Sequence, residues 1–526
     1  MKMKIKHTIY FSLFAVICLT LPGCDKDFAE INTNPYSLST DKIPENPGLQ
    51  ELALAQAQYV SMNGLHWRFQ ISQNLFSDLW AGYYATTATG FDSDRFTQVG
   101  RWSRLAWGSF YSQAAPQIKL VEDAARGGDL AVGEAIAKIV RVNAYHRITD
   151  YWGPVPYTEF GNQELSVAYD SQQSMYQDFF TTLDEASSAL ASGGKAYSGS
   201  DRIYGGDAAK WRKLAESLRL RLALRVRYVD PGLSKTEAEK AFRSGQLITN
   251  SADNAFVAVD SDNRNPLETI TDWGEFRMSA TMESILKGYD DPRLKVYFDA
   301  AKDGDSDGDG NKYEGLQNGQ TKVTLGLGQN SKHSDINEKY RDVAKGGENP
   351  PIPVFQASET HFLLAEAALA GYSVGGTAES YYNSGIETAM KETTGATDAQ
   401  IQAYTNSSAI PVSFDGGTTP AVTDIPIKFD SSGSVERQLE QIITQKWIAL
   451  FPNGWEAWAE ARRTGYPKQY PRVVSDNPDV PANEIPARMI YVSSEYSTNA
   501  EATNAAVSSE LGGQDKNNTK LWWDKK

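Results

Sequence analysis

Repeated amphipathic helical segments constrain the fold of this chain more than any other feature of its sequence. Apolar residues recur every three or four positions along much of the first half, which is the period of a helix with one buried face. The six segments with this period are residues 50–64, 69–81, 102–125, 130–151, 172–191 and 207–228. Glycine pairs or prolines separate several of them and end the helical period. The pattern predicts helices that pack their apolar faces on one another.

The same arrangement returns in the second half of the chain. Residues 357–370 and 378–392 flank a glycine-rich turn, and residues 435–450 are followed by a helical pattern over residues 454–463. Paired helices of about 14 to 20 residues with small residues between them are typical of tetratricopeptide-like hairpins. We therefore expect a mainly α fold built on a tetratricopeptide-like helical hairpin scaffold.

Two long segments lack a helical period. Residues 247–356 and 404–430 are rich in glycine, asparagine, aspartate and proline. Loops of this length in a compact chain usually carry function or pack as an irregular layer. We therefore place the scaffold at residues 47–246 and 357–463, and we expect the two long segments to form a loop-rich cap that contains an irregular ligand-binding region.

The beginning of the chain has the composition of a secretory signal. Three lysines precede an apolar stretch of about 12 residues, which is too short to span a bilayer comfortably as a helix. Cys24 follows Gly23 directly, as in a bacterial lipobox, where the cysteine carries acyl chains that anchor the protein. We expect a signal peptide at residues 1–23, a lipidated tether at residues 24–35 and a single domain at residues 36–526. An ordinary signal peptide with an incidental cysteine is the alternative.

Charge and cysteine content limit the partners and the means of stabilisation. The formal net charge is −15, which disfavours nucleic acids and anionic lipid headgroups as partners. Only two cysteines are present, and one lies in the predicted signal peptide, so a large core and not disulfides has to stabilise the exported protein. No apolar stretch of about 20 residues follows Cys24, and we therefore expect a lipid anchor without a membrane-spanning helix.

An acidic loop is the sharpest motif. Residues 303–314 match the calcium-loop pattern D-x-D-x-D-G-x-x-x-x-x-E, with the predicted ligands Asp303, Asp305, Asp307, Asp309 (through its carbonyl), Asn311 and Glu314. Gly310 stands where helix–loop–helix sites usually have an aliphatic residue, and residues 312–319 make a poor exiting helix. We therefore expect an isolated loop that binds structural Ca²⁺ in preference to a regulatory sensor. A solvated acidic loop without an ion is the alternative.

Short motifs spread along the chain resemble those of SusD/RagB-like outer-membrane lipoproteins. In order, they are FAEINTNP at residues 28–35, DYWGPVPY at 150–157, WRKLAESLRLRLALR at 211–225, ETHFLLAEAALA at 359–370 and KWIALFPNGWEAWAEARRTGYP at 446–467. Glu216 departs from the pattern, since the family usually has asparagine there. The resemblance implies a cell-surface lipoprotein of the outer membrane. It would capture oligosaccharides, or peptides, as the lid of a SusC-like TonB-dependent transporter.

Recognition of sugars requires flat apolar rings together with planar polar groups. Aromatic and arginine side chains at non-helical spacing follow one predicted helix, and a second group lies in the central loop region. We predict ligand contacts from Trp80, Tyr83, Tyr84, Phe91, Arg95, Trp102, Trp273 and Arg277. The alternative is that these aromatics seal the loop layer onto the scaffold. By contrast, we expect Trp447, Trp455 and Trp458 to be core residues, and Trp522 and Trp523 to dock the end of the chain.

Catalytic motifs are absent from the sequence. The histidines are scattered without a His-Glu-x-x-His motif, and there is no G-x-S-x-G nucleophile motif or complete phosphate-binding loop. We therefore expect a binding protein and not an enzyme. A glycan-processing hydrolase that uses two of the many carboxylates is one alternative. A structural helical-repeat adaptor of the envelope is the other.

Overall fold

A computed structural model describes residues 47–526, apart from residues 66, 127–130, 163 and 165. The predicted signal peptide, the predicted lipidation site Cys24 and the rest of the sequence before the first helix lie outside the described residues. Within the described part, no helix is both long enough and apolar enough to cross a membrane. Helices dominate over a few short strands, which confirms the prediction of a mainly α fold.

Helices that pack on their neighbours in the chain make up the first half. Their bounds are α1 Pro47–Ser61, α2 Gly100–Ser109, α3 Ala115–Arg126, α4 Ala131–Trp152, α5 Gln172–Ala189, α6 Ala208–Arg225 and α7 Pro231–Arg243. A π-helical segment, Gln70–Asp78, precedes α2 and packs on it. From α3 to α7, each helix contacts the next one in sequence, as in a stack of helical hairpins.

Capping residues explain where several of these helices begin. Ser171, Asp207 and Asp230 directly precede α5, α6 and α7, and each side chain accepts a hydrogen bond from a main-chain N–H of the first turn. Pro231 occupies the first position of α7, where its missing N–H would have had no partner in any case. The helix boundaries therefore follow from local chemistry that interrupts the apolar period.

The second half adds short helices in the loop region and further packed pairs. The bounds are α8 Leu267–Trp273, α9 Ala280–Gly288, α10 Leu294–Tyr297, α11 Lys322–Leu325, α12 Ala357–Leu369, α13 Ala378–Thr394, α14 Asp398–Thr405, α15 Val435–Leu450, α16 Gly454–Thr464, α17 Ser493–Thr498 and α18 Ala500–Glu510. Helix α12 contacts α13 and α15, and it also contacts α6 of the first half. This helix therefore joins the two halves of the scaffold.

Two small antiparallel sheets connect the loop region to the helices. Strand β1, Tyr84–Thr86, pairs with β3, Phe276–Met278. Strand β2, Ala255–Val257, pairs with β4, Ile352–Phe355. Because β1 follows the π-helical segment closely, its pairing with β3 brings the aromatic segment of the first half against the central loop region.

Buried ionised side chains cross the centre of the scaffold. Arg225 of α6 donates to Asp150 of α4 over 2.8 Å and to Glu456 of α16 over 2.5 Å. Arg463 of α16 donates to both oxygens of Glu366 of α12 over 2.6 Å. Burial alone would raise the pKa of Glu456, but Arg225 and neighbouring cations outweigh that effect and hold the pKa at about 2. The network therefore joins α4, α6, α12 and α16 through charged contacts.

The end of the described chain packs onto this network. Trp523 is fully buried, and its indole N–H donates to Asp150 Oδ1 over 2.9 Å. The guanidinium of Arg225 lies 5.4 Å from the centre of the Trp523 ring. Trp522 is partly buried and packs beside Tyr176 of α5. The prediction that the two tryptophans dock the end of the chain is confirmed.

Candidate functional site

Three of the aromatic residues predicted to contact ligand lie in the core. Trp80, Tyr83 and Tyr84 are each 0% exposed. The Trp80 ring packs edge-on against Trp458, with the ring centres 5.0 Å apart, and the Tyr83 hydroxyl donates to the Trp447 carbonyl over 2.7 Å. The prediction that these three rings contact ligand is wrong for this structure, because no part of them reaches the surface. They seal the loop layer onto α15 and α16, as the alternative reading proposed.

Both arginines predicted to contact ligand hold main-chain segments in place. Arg95 is 8% exposed, pairs with Asp92 and Asp476, and donates to the carbonyls of Thr89 and Gln320. Arg277 is 4% exposed and donates to the carbonyls of Gly274, Phe276 and Asn330. Most of their donors bond within the protein and both side chains are nearly fully buried, so the structure gives these arginines an anchoring role and corrects the expectation of direct ligand contact.

Trp273 and Phe91 remain accessible. Trp273, at the end of α8, is 49% exposed. Phe91 is half-buried, stacks on Phe276 with ring centres 5.7 Å apart, and meets the edge of Trp102. Trp102 is only 8% exposed, and its ring centre lies 5.8 Å from that of Phe91. Of the predicted aromatic contacts, Trp273 and Phe91 are therefore the two with ring surface available to a ligand.

A loop that sequence reasoning did not single out lies beside Trp273. Arg95 binds the carbonyl of Gln320 at one end of this loop, and Arg277 binds the carbonyl of Asn330 at the other. Between these anchors, Val323 is 91% exposed and Leu327 is 96% exposed, the highest values among the large apolar side chains that the structure describes. We call Phe91, Trp273 and residues 320–330 the exposed face.

The loop of the exposed face lies next to Trp273. Asn330 lies within 3.5 Å of the carbonyl of Gly274, the residue that follows Trp273, so the loop and the tryptophan are adjacent. The sequence gives little indication that residues 320–330 form an exposed surface, because two apolar residues in a glycine-rich loop show no helical or strand period. Exposed apolar side chains beside an aromatic ring are costly to leave in water and are typical of a binding surface.

The acidic loop brings four of the predicted metal ligands together. Carboxylate oxygens of Asp305, Asp307, Asp309 and Glu314 lie within 4.8 Å of one another. The other two predicted ligands are engaged elsewhere, because Asp303 accepts from the Ser331 hydroxyl and the Asn311 side chain accepts two main-chain N–H bonds. Asp303 and Asn311 therefore lie outside the converging set, to which Asp309 contributes its carboxylate, and metal binding by the loop stays a prediction.

An ammonium group enters this carboxylate cluster from α9. The Lys287 Nζ atom lies 2.8 Å from Asp309 and 3.8 Å from both Asp307 and Glu314. Glu283, one turn earlier in α9, is 2.5 Å away. Burial would lower the pKa of Lys287, but these carboxylates outweigh it and raise that pKa. Burial raises the pKa of Glu283 to about 8, since its carboxylate is fully enclosed.

A cleft of about 620 Å³ lies between the end of α16 and residues 467–472 and 482–487. Arg462 and Arg472 line it, and neither has an ion-pair partner within 4.0 Å among the described residues. Burial lowers the pKa of Arg462 to about 9 and that of Arg472 to about 10. Sequence reasoning gave no indication of this cleft, because its walls come from separate segments.

Comparisons with known proteins give a consistent result. The family model SusD-like, described as SusD and RagB outer membrane lipoprotein, matches residues 30–524. A chitin-binding SusD homologue from Flavobacterium johnsoniae is 32% identical, with a TM-score of 0.80 over 90% of this chain and 98% of that one. A SusD homologue from Bacteroides thetaiotaomicron is 30% identical, with a TM-score of 0.80 over 91% and 99% of the two chains. No curated protein matches the chain.

Proposed function

This chain belongs to the SusD-like family of outer-membrane lipoproteins, and on that premise we propose that it binds oligosaccharides, or peptides in their place, at the cell surface. It then delivers them to a SusC-like TonB-dependent transporter and acts as the lid of that transporter. Acyl chains on Cys24 hold it at the outer membrane. It is a binding protein and does not turn its ligand over.

The half-exposed ring of Trp273 carries the ligand-binding part of this proposal. A sugar ring has an apolar face that stacks on an indole, while its hydroxyls need polar partners at the edge. Trp273 offers 49% of its surface, and the anchored loop with Val323 and Leu327 lies beside it. A relative of similar fold is described as chitin-binding, which makes chito-oligosaccharides the first ligands to test.

Calorimetric titration of the purified protein against a panel of glycans and peptides tests the proposal. We expect at least one oligosaccharide to bind, and Trp273→Ala to weaken that binding about tenfold, which corresponds to about 1.4 kcal/mol. Tyr496→Ala is the matched control, because this residue is 38% exposed and lies outside the exposed face. Its affinity for the same ligand should be unchanged.

Three results would contradict the proposal. The whole panel could fail to bind, Trp273→Ala could bind as tightly as the wild type, or shortened glycans could accumulate during the titration. The third result would support the hydrolase alternative instead. Affinity purification of the protein from its own outer membrane tests the role as a lid. Failure to recover any TonB-dependent transporter with it would refute that part of the proposal alone.

A further inference from the structure

The acidic loop holds more negative charge than its one ammonium group neutralises. Carboxylates of the loop and of Glu283 surround Lys287, whose side chain is only 5% exposed. With the carboxylates of Asp305, Asp307, Asp309 and Glu314 ionised, three negative charges have no cation against them. The Glu314 carboxylate is buried, and charges repel more strongly beside a buried group than in water because the effective dielectric constant is lower there. The loop is therefore built to attract further positive charge.

Glu314 gives independent evidence for this reading. The residue is 2% exposed, and its Oε1 atom has no hydrogen-bond partner among the described residues, although it is buried. Its other oxygen accepts from Ser306 over 2.7 Å. The nearest cation to Oε1 is Lys287 Nζ at 3.8 Å, which is too far for a hydrogen bond. A buried carboxylate oxygen left without a donor is costly, and this one belongs to the converging set of oxygens.

We propose that Asp305, Asp307, Asp309 and Glu314 bind Ca²⁺, and that the Lys287 ammonium is the alternative partner of the same carboxylates. The donor set consists of oxygen atoms alone, which favours a hard divalent cation over zinc or copper. The loop is irregular and largely exposed at Asp305, which suits the variable geometry of Ca²⁺ better than the strict octahedron of Mg²⁺. This proposal is independent of the proposed function, because it concerns a different group of residues.

Two hydrogen bonds connect the acidic loop to other segments that a bound cation would restrain. The N–H of Gly416 donates to Asp307 over 3.0 Å, so the second long loop region is attached to the acidic loop. The Ser331 hydroxyl donates to Asp303 over 2.7 Å, directly after the exposed face ends at residue 330. Fixing the acidic loop therefore restrains segments on both sides, and bound Ca²⁺ should raise the melting temperature of the protein.

Titration of the chelator-treated protein with CaCl₂ tests the proposal. We expect one site with a dissociation constant on the order of 10⁻⁴ to 10⁻³ M, as in extracellular calcium modules. Asp305→Asn should weaken it at least about tenfold, and MgCl₂ should bind more weakly. Lys287→Gln should bind Ca²⁺ about tenfold more tightly, because no ammonium competes and one positive charge is removed from the site.

A second carboxylate group supplies the matched control. Glu268, Asp272 and Asp342 also converge, but Arg264 and Lys345 pair with members of that group. Asp342→Asn should therefore leave calcium affinity unchanged. Absence of binding by the wild type at 10 mM CaCl₂ would overturn the site, as would loss of binding in Asp342→Asn but not in Asp305→Asn. Equal affinities of wild type and Lys287→Gln would overturn the competition.

Terbium luminescence keeps the proposal testable if Lys287→Gln does not fold. Tyr313 precedes Glu314 in the chain, so its ring should sensitise Tb³⁺ bound at the loop in the wild-type protein. We expect CaCl₂ to quench this signal and Tyr313→Phe to remove most of it. A signal that survives Tyr313→Phe undiminished would place the lanthanide elsewhere and overturn the assignment.

Discussion

Replacement of Arg225 by methionine tests whether the buried ion network holds the helical scaffold together. Methionine has a similar length and packs well in a core, but it carries no charge. The change leaves Asp150 and Glu456, which are 1% and 3% exposed, without their shared guanidinium. Removing one partner from a buried ionic group typically lowers the free energy of unfolding by about 3 to 5 kcal/mol. We expect a loss in that range at pH 7.

The acid titration of Glu456 gives a related quantity, the stability that Arg225 and the neighbouring cations contribute together through this carboxylate. Its pKa is held at about 2, against an ordinary value of 4.5, and this difference corresponds to roughly 3 kcal/mol of stability. Because the pKa in the folded protein lies below that in the unfolded chain, the contribution is complete above about pH 4.5 and is lost as the pH falls toward 2. Among the cations that lower the pKa of Glu456, Arg225 has the largest effect.

Urea unfolding monitored by far-ultraviolet circular dichroism measures the effect. The difference between wild type and Arg225→Met should be largest at pH 7 and should shrink between pH 4.5 and pH 3. Arg243→Met is the control, because the Arg243 side chain is 62% exposed and pairs with Glu239 at the surface. Such pairs contribute about 0.5 kcal/mol. A loss below about 1 kcal/mol for Arg225→Met at pH 7, or a difference independent of pH, would refute the reasoning.

Two further predictions concern single side chains. Cys24→Ala should leave glycan affinity unchanged but remove the protein from the outer-membrane fraction, and a variant that stays with the membrane after fractionation would contradict lipid anchoring at this residue. Burial raises the pKa of Asp78 from 3.8 to about 7, so the folded state loses stability as the pH rises between these values. Asp78→Asn should therefore raise the melting temperature more at pH 8 than at pH 4. A gain that is equal at the two pH values would show that Asp78 does not titrate in this range.

The helical scaffold was predictable because its causes are local. The apolar stripe of α6 includes Trp211, Leu214 and Leu218, all at most 1% exposed. Capping residues mark its beginning in the sequence. Trp447 and Trp458 were predicted to be core residues for the same reason, and their exposures of 1% and 0% confirm it.

The candidate site was less predictable because its geometry depends on distant partners. The Tyr83 hydroxyl reaches a carbonyl 364 residues later in the chain, and no pattern around Tyr83 indicates that this partner covers its ring. Arg95 and Arg277 each lie four residues after a partly exposed aromatic, Phe91 or Trp273, but each also binds a carbonyl on a distant loop, at Gln320 or Asn330. Lys287 lies outside the acidic motif altogether, and only the packing of α9 brings its ammonium among the carboxylates.

The contact between Trp523 and Asp150 also bears on when this protein can fold. These residues are 373 positions apart, so the centre of the scaffold lacks one of its largest apolar side chains until residue 523 has been synthesised. Pairings over such distances form slowly, and the unfinished core exposes apolar surface in the meantime. The centre of the scaffold is therefore completed by a side chain that is synthesised 373 residues after its partner.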